Sequence, residues 1–127
     1  MTERVVLRGA NPASLINLNQ RQHWSEKAAR TKHWRTAGWV MGTNSKLAGK
    51  IKAVGPVEVQ VLFGTTRPNK RRDPHNFTPT VKALVDGLTD ARLWPDDDAA
   101  HVRVVDSVFT DTVPAGSFWV RLTWEEA

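Results

Sequence analysis

Alternating hydrophobic and polar residues predict four β-strands along the chain. The clearest is GPVEVQVLFG, in which the apolar residues at alternate positions from Val57 to Phe63 share one face. RVVLRG at 4–9 predicts the first strand, and HVRVVDSVFT at 101–110 and SFWVRLTWEE at 117–126 predict the last two. Because the turn at 114–116 joins these two, we expect them to pair as an antiparallel hairpin.

A first helix is predicted from Asn19, which has Gln22 at the capping-box offset and is followed by a long stretch without proline. Residues at near-helical spacing form one stripe that we expect to face the core: Trp24, Ala28, Thr31 and Trp39. The glycine and asparagine content of GTNSKLAGK predicts a break of this helix near Gly42.

A second helix is predicted to begin with Thr78 as its cap and Pro79 as its first residue, where a missing amide costs nothing. Four apolar residues follow the i, i+3, i+4, i+7 rule of a buried face: Val81, Leu84, Val85 and Leu88. Lys82 and Asp86 share its flank at i, i+4.

The predicted order is strand, helix, strand, helix, strand, strand. This order is typical of a mixed α/β or α+β fold, with a small, mixed, largely antiparallel sheet covered by helices. The length of 127 residues fits one domain, so we expect residues 1–127 to form a single unit.

The composition is that of a folded globular protein, with 40% hydrophobic and 24% charged residues. There is no cysteine, which excludes disulfides, thiolate metal sites and cysteine nucleophiles. The first residues, MTERVVLRG, are charged where a signal peptide would be apolar, and no long apolar segment occurs. We therefore expect a soluble, cytoplasmic protein without a membrane partner.

The charge distribution suggests a polyanionic partner. Lys and Arg number 18 against 13 acids, a formal charge of +5 with a pI near 10.1. Most cations lie at 21–52 and 67–72, whereas acids lie at 96–98 and at the C-terminal end. The asymmetry predicts a basic face with a separate acidic pocket.

Charged residues crowd both ends of the second predicted helix: KRRDPHN at 70–76 precedes it and PDDD at 95–98 follows it. Each stretch taken singly can be a turn in which Asp and Asn cap the local backbone. Together they can form a divalent-cation site, since Mg²⁺ prefers carboxylate oxygens and its charge removes the repulsion between acids. A ββα-metal nuclease site built on the His-Asn pair lacks the second histidine and the spacing of such sites.

The combination of two acidic stretches and the preceding KRR favours the metal site. A nuclease needs cations to hold phosphates, and a metal to activate water and stabilise the leaving oxygen.

Residues 71–102, RRDPHNFTPTVKALVDGLTDARLWPDDDAAHV, resemble the core of the RusA family of Holliday-junction resolvases. The family signature is a run of Arg, then Asp-x-Asp-Asn, a helix bearing a Lys, and Asp-Asp just after an aromatic residue. NQRQHWSEKAARTKHWR at 19–35 also resembles the N-terminal helix region of phage-borne members. The resemblance implies a homodimeric, Mg²⁺-dependent endonuclease that nicks four-way DNA junctions symmetrically.

By position, the resemblance implies that Asp73, Asp96 and Asp97 are metal ligands, with Asp73 and Asp97 essential to catalysis. It likewise implies that Lys82 is the catalytic helix lysine and that Asn76 is the family asparagine, near the DNA.

His75 departs from the family pattern, because it stands where the second aspartate is expected. The helix lysine is also displaced, as TPT looks inserted before it. Imidazole suits Mn²⁺ or Zn²⁺ better than Mg²⁺, so His75 leaves the metal's identity open. We expect His75 to be a ligand or a general base rather than a turn residue, and it could also bind phosphate.

A helix from 79 to about 91 is roughly 18 Å long at ~1.5 Å per residue. Asp73 before its start and Asp97 after its end cannot meet unless a loop doubles back or a second subunit contributes. We therefore expect a composite site, with Lys82 serving either its own or a partner's pocket.

The expected phosphate contacts lie in the basic loop and on the first helix: Arg67, Lys70, Arg71, Arg72, Lys27 and Arg30. Trp34 lies off the predicted core stripe, so it is the candidate to stack on a base or wedge at the junction centre. Two other functions stay open: a branched-DNA-binding protein that does not cleave, and a scaffold protein with a basic surface.

Overall fold

The computed structural model describes residues 1–18, 23–67 and 74–127. Its elements in chain order are β1 (Thr2–Ala10), α1 (Trp24–Asn44), β2 (Val57–Gly64), α2 (Thr78–Asp90), β3 (Val102–Val104), β4 (Val108–Thr110) and β5 (Ser117–Glu125). A short 3-10 helix, Pro74–Phe77, leads into α2. Within these ranges, no helix combines the length and the apolar character needed to cross a bilayer.

The strands form one mixed sheet in the order β1-β5-β2-β3, and β4 also pairs with β2. β5 is antiparallel to both of its neighbours, whereas β3 and β4 run parallel to β2. Apolar residues alternate along β2 and β5 and are buried on the face that the helices cover. The predicted fold class, a mixed sheet covered by helices, is confirmed.

The predicted hairpin between 101–110 and 117–126 is wrong. β2 lies between the two segments, because β5 pairs with one of its edges and β3 and β4 with the other. The first segment is also two short strands, with residues 105–107 leaving the strand path between them. Pairing with β2 instead buries Val102 in the core and stacks the ring of Phe109 on that of Phe63, with the ring centroids 5.3 Å apart.

The face of α1 that packs on the core differs from the predicted stripe. Its buried residues are Trp34, Gly38 and Gly42, whereas Trp24 is 76% and Trp39 47% exposed. The prediction that Trp24 and Trp39 belong to the core is therefore wrong. The segment GTNSKLAGK was expected to end or break this helix near Gly42, and α1 does end within it, at Asn44. The described N-cap is His23, while the predicted cap, Asn19, lies outside the described residues.

Glycines on α1 and α2 allow the helices to approach very closely. A Cβ at Gly38 would lie 2.2 Å from the carbonyl oxygen of Leu84, and one at Gly87 would lie 2.0 Å from that of Arg35. These backbone contacts leave no room for a side chain. The two helices therefore form one layer over the sheet.

The predicted apolar face of α2 is confirmed, since its four residues, Val81, Leu84, Val85 and Leu88, are all buried. The predicted cap is displaced by one residue. Phe77 is the N-cap, and Thr78 is the first helical residue, whose hydroxyl donates to the carbonyl of His75 at 2.7 Å. Pro79 still lies in the first turn, where its missing N–H is tolerated.

Candidate functional site

Two adjoining cavities lie between α2 and the β3 edge of the sheet. Their volumes are about 230 and 250 Å³, and Thr78, Val81 and Val104 line both of them. We call this surface the α2 groove. It brings together residues from both ends of α2 that the sequence places far apart.

The larger cavity of the α2 groove holds Lys82, Asp86 and Asp97. Lys82 Nζ lies 3.4 Å from Asp86 Oδ1, which is the predicted i, i+4 pair. The chain turns back after α2, so that Asp97 lines the same cavity as Thr78 from the first turn of the helix. The chain therefore returns to the start of α2, whereas Asp73, the other end of the expected composite site, lies outside the described residues.

The three consecutive aspartates have different surroundings. Asp96 accepts a hydrogen bond from the amide of Asp97 at 2.8 Å, and Asp98 accepts from Ala100 N at 3.1 Å and lies 2.6 Å from His101 Nδ1. The carboxylate of Asp97 makes no hydrogen bond or ion pair with any residue in the described ranges and faces the cavity. Asp97 is therefore the member of the run that is placed to bind something outside the chain.

The smaller cavity of the α2 groove holds His75 and Asp106. His75 lies in the 3-10 helix, and its carbonyl accepts the Thr78 hydroxyl. Asp106 lies between β3 and β4, where its carbonyl accepts a hydrogen bond from Gln60 Nε2 at 3.0 Å. An imidazole and a carboxylate thus line one cavity next to the Lys82 cavity.

The carboxylates of the α2 groove also act on Arg35 of α1, which pairs with Asp90, one turn after Asp86 on α2. Arg35 on α1 donates two hydrogen bonds to Asp90, at 2.7 and 2.9 Å. These bonds, with the charge of Asp90, raise the pKa of Arg35, and the charges of Asp86 and Asp97 raise it further. The same hydrogen bonds lower the pKa of the Asp90 carboxyl.

The predicted ligand Asp73 and the predicted phosphate contacts Lys70, Arg71 and Arg72 lie outside the described residues. Arg67, the last described residue before them, is exposed, and its amide donates to Thr65 Oγ1 at 3.1 Å.

The first helix contributes differently from what the sequence predicts. Lys27 is exposed and Arg30 half-buried on α1, as phosphate contacts would require. Trp34, the predicted base-stacking residue, is fully buried, with its indole N–H donating to the carbonyl of Ser14 at 3.2 Å. Its ring lies 5.1 Å from that of Phe118, so this assignment is wrong and Trp34 belongs to the core.

Asn76 follows His75 in the 3-10 helix that leads into α2. Its carbonyl accepts a hydrogen bond from Leu18 N at 2.8 Å, which ties the segment before α1 to the start of α2. The tryptophan with the most exposed ring in the described chain, Trp24, follows six residues after Leu18. Trp24 therefore leaves an aromatic ring exposed at the start of α1.

No group of three or more His, Asp or Glu side chains in the described ranges is arranged to hold a metal ion. The carboxylates of Asp86 and Asp97 are hard oxygen donors of the kind that Mg²⁺ prefers, so they fit part of a ligand set. Asp96, whose carboxylate is bonded to the local backbone, fits this role less well.

Two groove residues were not assigned a site role from the sequence. Asp86 was identified only as the partner of Lys82, although their shared flank already placed it beside the predicted site. Asp106 lies where one continuous strand was predicted, so its turn between β3 and β4 carried no recognisable signal.

A larger cavity of about 610 Å³ lies between β1 and α1. Its walls are mostly apolar, with Arg8 and His33 among them, and none of its described lining residues is a carboxylate. Unlike the α2 groove, it does not bring carboxylates together with a lysine.

Neither protein-family models nor curated proteins yield a match to this sequence.

Proposed function

We propose that the protein is a metal-dependent endonuclease that nicks branched DNA, with four-way junctions as its substrate. The observation that carries the proposal is the α2 groove, in which Lys82, Asp86 and Asp97 line one cavity and His75 and Asp106 the next. The resemblance of residues 71–102 to the RusA resolvases supports the same activity.

The α2 groove offers the groups that phosphodiester hydrolysis needs. Lys82 is 70% exposed at its side chain, so its ammonium can bind a phosphate oxygen while still pairing with Asp86. Imidazole can accept a proton near neutral pH, which suits His75 for a general base. The basic segment that begins at Arg67 adjoins the groove in sequence and would bind flanking phosphates.

The metal in this proposal would be held by Asp97, with Asp86 and the predicted ligand Asp73 as further candidates. When bound, Mg²⁺ or Mn²⁺ supplies an activated water and stabilises the leaving oxygen. The described carboxylates alone do not form a complete ligand set, so the proposal requires Asp73. Loss of the Asp73 carboxylate should therefore be as damaging as loss of Asp97.

A homodimer is part of the proposal, because two sites related by a two-fold axis would meet symmetric strands of a junction. Sedimentation of the purified protein with and without a four-way junction would measure its oligomeric state. A monomer that nicks both strands of a symmetric pair at the same rate would contradict the dimer.

The deciding experiment is cleavage of a labelled four-way junction in Mg²⁺ and in Mn²⁺ by wild type, Asp73→Asn and Asp97→Asn. Asp98→Asn is the matched control, because it makes the same change in the same run but alters a carboxylate that is bonded to its own turn. We expect paired symmetric nicks by wild type and the control, and a loss of at least ~100-fold in the other two, the scale seen when one electrostatic catalytic group is removed. His75→Ala would then report whether the imidazole is needed.

The alternative function is a branched-DNA-binding protein that does not cleave. It is favoured if wild type binds the junction tightly without nicking it in either metal. Equal binding to junction and unbranched duplex would instead support a scaffold with a basic surface and would contradict both DNA-junction proposals.

A further inference from the structure

The face of the sheet that points away from the helices is basic and has no covering layer in the described chain. On β1, on β5 and on β2 as far as Val61, residues alternate between the core side and this open face. Its cations are all arginines, and they come from three strands, β1, β5 and β3: Arg4, Arg8, Arg121 and Arg103. We call this surface the arginine face.

The strand register fixes how the arginines are spaced. One row of paired residues crosses β1, β5, β2 and β3 in that order: Arg4, Thr123, Glu58 and Arg103. At ~4.8 Å per strand, this row spans about 14 Å. Arg8 lies four residues along β1 from Arg4, a further ~13 Å at right angles to the row. The cations thus cover an area large enough to meet several phosphates of one duplex.

Few of these charges are neutralised within the protein. Glu58 pairs with Arg103, whereas Glu125 at the end of the sheet bonds to Thr2 and lies 3.6 Å from the terminal amine. Arg4, Arg8 and Arg121 have no carboxylate partner among the residues that the structure describes.

The contacts that hold two of these arginines leave their charge available. Arg8 stacks on the ring of Trp119, with Cζ 4.7 Å from the ring centroid, and Arg121 donates to Gln60 Oε1 at 3.1 Å. Both contacts orient a guanidinium without cancelling its charge. A preorganised guanidinium fork loses less entropy on binding a phosphate than a free lysine does.

We propose that the arginine face binds the phosphate backbone of duplex DNA, as a second contact surface outside the α2 groove. The excess of arginines disfavours a second copy of the chain, since two such faces would repel one another. A single aromatic ring, already stacked by Arg8, provides no platform for successive unstacked bases, which favours duplex over single strand.

The arginine face and the α2 groove meet at β3. Val104 of β3 lines the groove, while Arg103, its neighbour, points to the opposite side of the sheet and is 65% exposed. A duplex that crosses this edge can therefore contact both surfaces. The inference does not need cleavage in the groove, because it depends on the charge of the open face alone.

The test is the salt dependence of binding to an unbranched fluorescent duplex by wild type and by the double variant Arg4→Gln, Arg8→Gln. Each phosphate contact makes the negative slope of log binding constant against log salt concentration steeper by about 0.9. The double variant should therefore have a slope that is shallower by roughly 1.8. The matched control is Lys46→Gln, Lys50→Gln, which removes two exposed charges from the turns after α1 and should leave the slope nearly unchanged.

A slope for the double variant equal to that of the control would overturn the inference. So would a change of oligomeric state in sedimentation with an unchanged slope, which would make the face an interface between copies. Competition by polyglutamate as effective as that by duplex would point to an acidic protein and would also overturn it. Asp97→Asn separates this inference from the proposed function, since it should abolish nicking while keeping the wild-type slope.

Discussion

Replacing Gly38 by alanine tests the close approach of α1 and α2. A real Cβ essentially never lies within 3.0 Å of a heavy atom outside its own residue and the two neighbouring residues. A Cβ at Gly38 would lie 2.2 Å from the carbonyl oxygen of Leu84. The obstacle is backbone, so the helices must separate by the better part of an ångström. Alanine gains about 1 kcal/mol of helix propensity, but overpacking costs about 1–3 kcal/mol and more where backbone must move. We expect a net loss of about 1–2 kcal/mol, which lowers Tm by roughly 3–10 °C.

Urea unfolding followed by far-UV circular dichroism measures this loss. Thr36→Ala, an exposed change on the same helix, is the control and should be neutral or stabilising by a few tenths of a kcal/mol. Gly87→Ala should resemble Gly38→Ala, and the double variant should cost less than the sum, because one substitution already separates the helices. If Gly38→Ala instead stabilises the protein by ~1 kcal/mol, helix propensity alone accounts for the change in the free energy of unfolding, and the close approach of the helices is refuted.

Two further predictions concern residues that join α1 to the rest of the fold. Asp90→Asn should cost about 0.5–1 kcal/mol at neutral pH, since its pair with Arg35 is half exposed. The hydrogen bonds from Arg35 lower the pKa of Asp90. The difference in the free energy of unfolding between Asp90→Asn and wild type should therefore persist above the ordinary carboxyl pKa and vanish as the pH falls through the lowered value. Urea titrations at neutral and acid pH would measure it. Trp34→Phe should lower the free energy of unfolding by about 2–3 kcal/mol, because it leaves a cavity and removes the donor to the Ser14 carbonyl. Trp24→Phe, at an exposed position, should change it by less than ~0.5 kcal/mol. Equal effects of the two tryptophan changes would contradict the burial difference.

The fold class followed from periodicity because the strongest patterns coincide with the core. β2 alternates cleanly and α2 carries four apolar residues at helical spacing, and both elements are where the sequence predicts them. α1 shows why other predictions failed. Its buried residues are one tryptophan and two glycines, and the glycines, at which the helices approach most closely, contribute no hydrophobic signal. The apolar residues that formed the predicted stripe instead include Trp24 and Trp39, which are exposed.

Strand partners could not be read from the sequence, and this limited the prediction of the site. Adjacent position in the chain suggested a hairpin, whereas β3 and β4 both pair with β2, far away in sequence. Asp106 enters the α2 groove only because of that pairing, so no local pattern could have placed it beside His75. By contrast, the local density of carboxylates singled out Asp97, and the family resemblance implied Lys82; the chain that returns after α2 brings both to the same cavity.

The glycine-mediated helix packing also explains why the α2 groove exists. α2 has one side against the sheet, through Val81 and Leu88, and a second against α1, through Gly87. Because Gly87 lets α1 pack directly on the backbone, α1 stays on that side and leaves the flank of Lys82 and Asp86 uncovered. A large residue at position 87 would push α1 outward and tilt α2 on the sheet, which would move this flank relative to the strand edge at β3. The geometry of the candidate site therefore depends on the contact between α1 and α2 at Gly87, and a packing variant such as Gly87→Ala should weaken any activity of the groove beyond its effect on stability.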